Sequence, residues 1–177
     1  MKKVLLIGGS GYIGAVVAKY FLSLGLGVRI LDNLLFDNEF SIRDLNKNEN
    51  FNFLKGDLCN LEDLQKSIKD ITDVIILAGI VGDPLSKKYP RESVEINYEG
   101  IKSCLNFFKN KNLNKVIFIS TCSNYGLTNN DKLVDESFSL NPLSIYAKTK
   151  VDIEKFILDN NKNFDFSPII LRFATAF

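Results

Sequence analysis

Short apolar runs recur along the chain and alternate with segments of helical periodicity. Unbroken apolar runs of this length are typical of parallel strands that are buried on both faces of a sheet. The runs predict strands at residues 4–7, 28–31, 51–54, 74–77, 116–119 and 169–173. Because helical segments separate the strands and such crossovers are right-handed, we expect a doubly wound parallel α/β sheet with the strand order 3-2-1-4-5-6.

Four helices are predicted between these strands. In the first, apolar residues recur at helical spacing, and Gly25 stands where a C-terminal cap belongs. Its expected inward stripe is Ile13, Val16, Val17, Tyr20, Phe21 and Leu24. A second helix begins near Asn60, a third follows Pro90, and the last covers residues 144–160. The expected inward residues of the last two are Val94, Asn97, Ile101, Cys104, Leu105, Phe108, Ile153, Phe156 and Ile157.

The turn between the first strand and the first helix carries Gly8, Gly11 and Gly14. This GxxGxxG spacing is a variant of the dinucleotide-binding fingerprint. Gly8 would permit the tight turn, Gly11 the approach of backbone to a pyrophosphate, and Gly14 the packing of the helix on the sheet. The free N–H groups at the start of that helix, around Tyr12 and Ile13, are then expected to receive the phosphates.

Two acidic residues at strand ends extend the candidate cofactor site. Asp32 ends the second strand 18 residues after Gly14, where an acid is expected to bind the hydroxyls of the adenosine ribose. Asn33 follows it, and neither an Arg nor a Lys stands nearby to receive a 2′-phosphate, so NAD is favoured over NADP. Asp57, with Leu58 after the third strand, is either a contact for the adenine or a helix-capping acid.

Candidate chemistry lies on the last helix and at the end of the fifth strand. Tyr146 and Lys150 stand at i and i+4, on one helix face. A phenol that acts as a base near neutral pH needs its pKa lowered by about 3 units, which a neighbouring ammonium and a positive nicotinamide ring can supply. A hydroxyl from the segment after the fifth strand, such as that of Thr121, could hydrogen-bond the same substrate oxygen.

In combination, these motifs resemble the extended short-chain dehydrogenase/reductase family, the NAD-dependent sugar-nucleotide epimerases and dehydratases. The matching positions follow the family's order along the whole chain: Gly8, Gly11, Gly14, Asp32, Asn33, Leu34, Asp57, Leu58, Leu77, Ala78, Gly79, Asn97, Ser120, Thr121, Ser123, Tyr125, Gly126, Pro142, Ser144, Tyr146, Ala147, Lys148, Lys150, Leu171, Arg172 and Phe173. The resemblance implies that Thr121 is the catalytic hydroxyl, Tyr146 the acid/base, and Lys150 the residue that binds ribose and modulates the pKa.

The same resemblance implies that Leu77, Ala78, Gly79 and Asn97 belong to the cofactor site. Asn97 is equally well explained as a buried structural residue. The resemblance also implies that residues 1–177 form an NAD-binding Rossmann domain. It further implies that the family's C-terminal substrate-binding portion, which follows the sixth strand, is absent from this chain.

The implied function is that of an NAD-dependent sugar-nucleotide epimerase of the 4-epimerase type. Tyr146 would be the base, with hydride passing to and from bound NAD. Cys122 and Ser123 stand where the family's dehydratases have Asp-Glu, which argues against dehydration. The alternatives are a sugar-nucleotide dehydrogenase or reductase of the same superfamily and a non-catalytic NAD-binding module.

Composition and charge narrow the classes of partner. A chain of 177 residues suits one domain, and a net charge of +1 indicates neither nucleic-acid nor membrane binding. With no His, a Ser-His-Asp triad and a His-containing metal site are excluded, and we expect no metal. Three Cys outside any CxxC pair and no apolar stretch near 20 residues favour a reducing, cytoplasmic location.

The expected partners are a nucleotide-sugar substrate and a second copy of the chain. In relatives, two helices per subunit, including the one that bears the Tyr and Lys, often form a four-helix dimer interface. The corresponding helices here carry more apolar side chains than one core face needs, namely Phe107, Phe108, Phe156 and Ile157. A homodimer is therefore expected.

Overall fold

A six-stranded, all-parallel sheet organises the part of the chain that the computed structural model describes, residues 2–127 and 133–174. The strand order is β3-β2-β1-β4-β5-β6, so the predicted doubly wound fold and the order 3-2-1-4-5-6 are confirmed. The strands are β1 (Lys3–Ile7), β2 (Gly27–Asp32), β3 (Phe51–Lys55), β4 (Asp73–Ile76), β5 (Lys115–Thr121) and β6 (Ser167–Phe173). Each lies within two residues of its predicted bounds.

Helices on both faces connect the strands. They are α1 (Tyr12–Ser23), α2 (Leu61–Ser67), α3 (Asp83–Lys88), α4 (Pro90–Val94), α5 (Ile101–Phe108) and α6 (Ile145–Asn160). Side-chain caps begin two of them, because Asn60 Oδ1 accepts from two N–H groups of α2 and Ser144 Oγ accepts from Ala147 N of α6. Among the described residues, no helix is long and apolar enough to cross a membrane.

The predicted third helix is interrupted. A π-helical segment, Glu95–Gly100, joins α4 to α5, and the short helix α3 precedes them without having been predicted. Asn97 lies in the π-helical segment and is fully buried. The predicted inward position of Val94 is wrong, since this residue is 42% exposed.

The inward face of α1 differs from the predicted one. Val16 is 66% exposed and Tyr20 is 60% exposed, and Leu24 is exposed as well, so three residues of the predicted stripe face outward. The buried residues are Gly14, Ala15, Ala18 and Leu22. Small side chains on this face let α1 approach the sheet closely, which the search for a stripe of large apolar residues could not reveal.

Two apolar cores lie on the two faces of the sheet. One is formed by the odd residues of β1 and by β4, β5 and helices α2, α5 and α6. The other is formed by α1, the opposite faces of β1 and β2, Leu45 of the short 3₁₀ segment Arg43–Lys47, and Ile42 just before it. Of the four side chains expected at a dimer interface, Phe108 and Ile157 belong to the first core, and Phe107 and Phe156 pack partly buried against it.

Candidate functional site

A cavity of about 810 Å³ opens at the carboxyl edge of the sheet. Ligands bind at this edge of doubly wound sheets, where the strand order reverses between β1 and β4. Every predicted site residue except Asn97 lines the cavity: Gly8, Gly11, Tyr12, Ile13, Gly14, Asp32, Asn33, Asp57, Leu58, Leu77, Ala78, Gly79, Thr121, Tyr146 and Lys150. The fold thus brings the glycine turn, the strand-end acids and the Tyr–Lys pair, which are far apart in sequence, to one concave surface.

The glycine turn between β1 and α1 is built by close backbone approaches. Gly8 has φ +78°, and a Cβ there would stand 2.5 Å from the backbone of Ala78. A Cβ on Gly14 would stand 2.5 Å from the carbonyl oxygen of Gly9, so this glycine packs against the turn itself rather than against the sheet. Gly11 is different, because a Cβ there would meet only Gly8 O, at 3.5 Å. The space beside Gly11 is therefore open.

The N-terminus of α1 is free to accept an anion. Gly11 is its N-cap residue, no side chain caps it, and its first turn contains no acidic residue. The first N–H groups of a helix have no partner within the helix, and the dipole adds positive potential there. This arrangement suits a phosphate, as the glycine spacing predicts.

Asp32 joins the glycine turn to the end of β2. Its Oδ2 accepts a hydrogen bond from Ser10 N and its Oδ1 accepts one from Leu34 N, both at 2.9 Å. An ionised carboxylate has about four acceptor positions, so these two bonds leave capacity for the hydroxyls of a ribose. The carboxylate also places negative charge at the cavity wall, which disfavours a 2′-phosphate.

Asp57 reaches the same wall from the end of β3. Its Oδ2 accepts from Asn33 Nδ2 at 3.1 Å and its Oδ1 accepts from Cys59 N at 2.8 Å. Because Asn60 caps α2, the alternative that Asp57 is the helix-capping acid is not what the structure shows. The Asn33–Asp57 pair connects two loops at the candidate adenosine end of the cavity.

Asn97 supports the loop after β4 from behind. Its Oδ1 accepts from Ile80 N at 2.8 Å, and its Nδ2 donates to Ile80 O at 2.9 Å. Gly79, with φ +154°, packs against this amide so closely that a Cβ would lie 2.7 Å from Asn97 Oδ1. Of the two sequence interpretations, the buried structural residue is the one that these contacts support.

Thr121, Tyr146 and Lys150 meet where β5 ends against α6. The Thr121 hydroxyl lies beside the Tyr146 phenol, and Lys150 Nζ lies 5.9 Å from the centroid of the Tyr146 ring. Lys150 Nζ donates to Ile119 O at 2.8 Å and lies 4.6 Å from the centroid of the Phe118 ring. All three side chains line the cavity, and each is almost fully buried.

Burial governs the protonation of this group. It raises the pKa of the Tyr146 phenol, and the neighbouring Thr121 hydroxyl opposes that rise. Burial lowers the pKa of Lys150 to about 8, and the negative charge of Glu154 opposes that fall. The protein's own residues therefore leave Tyr146 protonated at neutral pH, and the predicted lowering of its pKa is not produced by Lys150 alone.

Several residues that the sequence did not single out also belong to the site. Leu35, Phe36 and Phe40, from the segment after β2, are exposed apolar side chains on the cavity wall. Glu154 is buried one helical turn beyond Lys150 and is bound by Arg172 through a salt bridge of 2.6 Å. Glu154 could have been recognised from the sequence, because it is an acid four residues after Lys150 on a helix face that otherwise points inward.

Comparison with known proteins identifies the class. Residues 4–177 match the NAD dependent epimerase/dehydratase family, and the chain belongs to this family. It is 31% identical over 171 residues to the bifunctional UDP-glucose 4-epimerase and UDP-xylose 4-epimerase 1 of Pisum sativum, an alignment that covers 91% of this chain and 48% of the pea protein.

Other relatives extend the comparison. The structure resembles UDP-glucuronic acid 4-epimerase from Bacillus cereus in complex with UDP-glucuronic acid and NAD, with a TM-score of 0.88 and 32% identity over 96% of this chain and 55% of that one. The chain is also 28% identical to human sterol-4-alpha-carboxylate 3-dehydrogenase, decarboxylating, over 92% of its length and 42% of the human protein. The chain thus spans about half the length of the curated relatives that it matches.

Proposed function

We propose that this chain binds NAD and carries the catalytic residues of a UDP-sugar 4-epimerase. The observation that carries the proposal is the convergence of Thr121, Tyr146 and Lys150 on the cavity that the glycine turn and Asp32 also line. Binding of a dinucleotide alone does not require Thr121, Tyr146 and Lys150 as a set. Relatives named as UDP-sugar 4-epimerases, some of them solved with NAD, support the choice of reaction.

The residues of the cofactor end divide the work of binding. The open N-terminus of α1 at Gly11 would hold the pyrophosphate, and Asp32 would accept from the adenosine ribose hydroxyls. Asp57 and Asn33 stand beside the adenosine end. When bound, NAD⁺ supplies the hydride acceptor and a positive charge near Tyr146.

The residues of the chemical end move and hold a proton. Thr121 would orient the substrate hydroxyl, and Tyr146 would take its proton. Lys150, held by Ile119 O, would bind ribose and favour the phenolate. Because burial raises the pKa of Tyr146, the phenol needs more positive charge than Lys150 provides before it can serve as a base near neutral pH.

The cofactor part of the proposal is tested by a pair of glycine variants. Gly11→Ala places a methyl group in the open space beside the α1 N-terminus, so we expect an unchanged melting temperature and NAD⁺ affinity lowered by at least about tenfold. The control, Gly25→Ala, places a side chain at φ +75° far from the cavity and should cost about 1 kcal/mol of stability with unchanged affinity. Calorimetric titration with NAD⁺ and NADP⁺ measures the affinities of both variants, and thermal melting measures their stabilities. Failure of the wild type to bind NAD⁺ would contradict the proposal.

The reaction is tested with UDP-glucose and bound NAD⁺. An epimerase converts UDP-glucose to UDP-galactose, detected by NMR of the anomeric protons, without net formation of NADH. A dehydrogenase, the second candidate, which the human sterol enzyme illustrates, accumulates NADH and an oxidised product. A non-catalytic module binds NAD⁺ and does neither. Tyr146→Phe is the control, since it should bind NAD⁺ and abolish either reaction.

The assembly and location belong to the proposal as well. A homodimer would use the outer faces of α5 and α6, where Phe107 and Phe156 remain only partly buried. Native mass spectrometry tests this and counts bound NAD in the same spectrum. A reducing, cytoplasmic location is consistent with the three cysteines, Cys59, Cys104 and Cys122, which are all unpaired.

A further inference from the structure

A buried carboxylate lies directly behind the proposed catalytic residues. Glu154 is only 2% exposed and stands on α6, one turn after Lys150 and two turns after Tyr146. It accepts hydrogen bonds from Ser120 Oγ at 2.5 Å and from Asn124 Nδ2 at 2.8 Å. Arg172 completes the set, with Nη2 donating to Oε2 at 2.6 Å and Nε donating at 3.1 Å.

These contacts join four segments around one carboxylate. Glu154 belongs to α6, Ser120 to β5, Asn124 to the 3₁₀ turn Cys122–Tyr125, and Arg172 to β6. The Arg172 guanidinium continues the network, because its Nη1 donates to the Tyr125 hydroxyl at 3.0 Å. Each residue that donates to Glu154 therefore lines the cavity itself or is next to a residue that lines it.

Stability alone is a weak explanation for this network. Taking two charges out of water is costly, and apolar residues of similar volume in place of a buried ion pair are often neutral or stabilising. A buried hydrogen-bonded network instead restricts its segments to one relative arrangement. The segments that this network restricts are the ones that carry Thr121 and Lys150.

The network and Lys150 hold the same strand end from one helix. Lys150 binds the carbonyl of Ile119, and Glu154 binds the hydroxyl of Ser120. The next residue is Thr121, whose Oγ1 accepts from Ser123 N at 3.2 Å. Thr121 is therefore positioned by two successive attachments of β5 to α6 and by the turn that follows it.

We propose that Glu154 is a positioning residue of this site, which acts through Ser120, Asn124 and Arg172 to hold Thr121 against the helix that carries Tyr146 and Lys150. The inference rests on the proposed function, because it assigns the network to the site that would bind NAD and substrate. It also assigns a charge to the network: an anion one turn from Lys150 favours the protonated amine that would bind ribose.

The direction of the Lys150 titration supports this second role. Burial lowers the pKa of Lys150 to about 8, and Glu154 is the charged side chain that raises it. The groups packed around the amine from β5 are Ile119 O and the Phe118 ring, which carry no formal charge. Removal of the Glu154 charge should therefore lower the Lys150 pKa below about 8.

Glu154→Gln removes the charge and keeps the shape. We expect it to lower the pKa of Lys150, followed by NMR of the labelled amine, and to weaken NAD⁺ binding by about tenfold. The matched control is Asp152→Asn, which removes an exposed carboxylate from the same helix. This control should leave both readouts unchanged. An unchanged Lys150 pKa and unchanged affinity in Glu154→Gln would overturn the proposal.

An apolar pair separates positioning from stability. In Glu154→Leu/Arg172→Leu, packing replaces the ion pair, and the melting temperature should stay near that of the wild type or rise. Positioning predicts that the Lys150 pKa and the NAD⁺ affinity remain low in this variant. Recovery of both readouts together with stability would make the network merely structural and would overturn the proposal.

The outcome for the wild type separates this proposal from the proposed function. A wild-type chain that fails to bind NAD⁺ contradicts the proposed function. A wild type that binds, with a Glu154→Gln variant unchanged in both NAD⁺ affinity and Lys150 pKa, contradicts the role of Glu154. The Lys150 titration requires no cofactor. It therefore tests the charge of Glu154 in either case.

Discussion

The two faces of the sheet are covered unequally along β5 and β6. Phe118 and Ile117 are neighbours on β5 and point to opposite faces. Phe118 is fully buried in the core that contains α5 and α6, whereas Ile117 is only partly buried against the core of α1. On β6, Leu171 lies on the same face as Ile117 and is 38% exposed.

The difference shows what an apolar run can and cannot indicate. The runs predict strands buried on both faces, and this prediction is correct for β1, where Leu5 and Leu6 point to opposite faces and are both fully buried. It is wrong for the part of β5 and β6 that faces the core of α1, where Ile117 is only partly buried and Leu171 is 38% exposed. The side chains are apolar on both faces in each case, so coverage depends on where the helices lie and not on the strand itself.

The comparison is tested most strongly by two truncations on β5. Phe118→Ala should lower the free energy of unfolding by about 3–5 kcal/mol, because it empties a fully buried site beneath the helices. Ile117→Ala should lower it by roughly 1–2 kcal/mol, since its side chain is already partly in water. Urea denaturation measures both. Equal losses would contradict the unequal coverage of the two faces.

Burial of the Lys150 amine on the covered face is tested by the pH dependence of stability. The pKa of this amine is about 8 in the folded protein and near 10.5 in the unfolded chain. Between these values the unfolded chain binds more protons, so stability rises with pH. The rise attributable to Lys150 is at most about 3 kcal/mol. Denaturation across this pH range should show the wild type gaining stability relative to Lys150→Met as pH rises. Parallel curves would contradict burial of the amine.

The inward face of α1 is tested on the less covered side. Ala18→Leu places a larger side chain between α1 and the sheet, and should cost about 1–3 kcal/mol. Tyr20→Ser changes a much larger side chain that points outward, and should change stability by no more than about 0.5 kcal/mol. Thermal melting ranks the two. The opposite ranking would indicate that Tyr20 packs inward, as the sequence predicts, and would contradict the inward face seen in the structure.

The smallest effect is expected at the exposed edge. Leu171→Thr keeps a branched side chain on β6 and changes a residue that is already 38% exposed. We expect a change in stability within about 0.5 kcal/mol by the same denaturation measurement. A loss as large as that of Phe118→Ala would show that this part of the second face is covered in solution.

Much of the candidate site could be predicted because its motifs are local. The glycine turn requires a few neighbouring residues, and Tyr146 and Lys150 share a helix face by their spacing alone. Asn97 was ambiguous for the opposite reason. Its amide is engaged by Ile80 from a different segment, and the π-helical turn that places it there has no distinct pattern in the sequence.

By itself, the sequence determined the strands, the glycine turn and many of the residues that line the cavity, because each depends on periodicity or on spacing along a short segment. The strand order followed from right-handed crossovers between those strands. Only the tertiary structure decided which face of α1 packs inward, which face of β5 is covered, and that Glu154 meets Arg172. These features depend on the distance and shape of segments far apart in the chain. An apolar residue has the same chemistry on either face, and a buried acid is identified only by the donors that surround it.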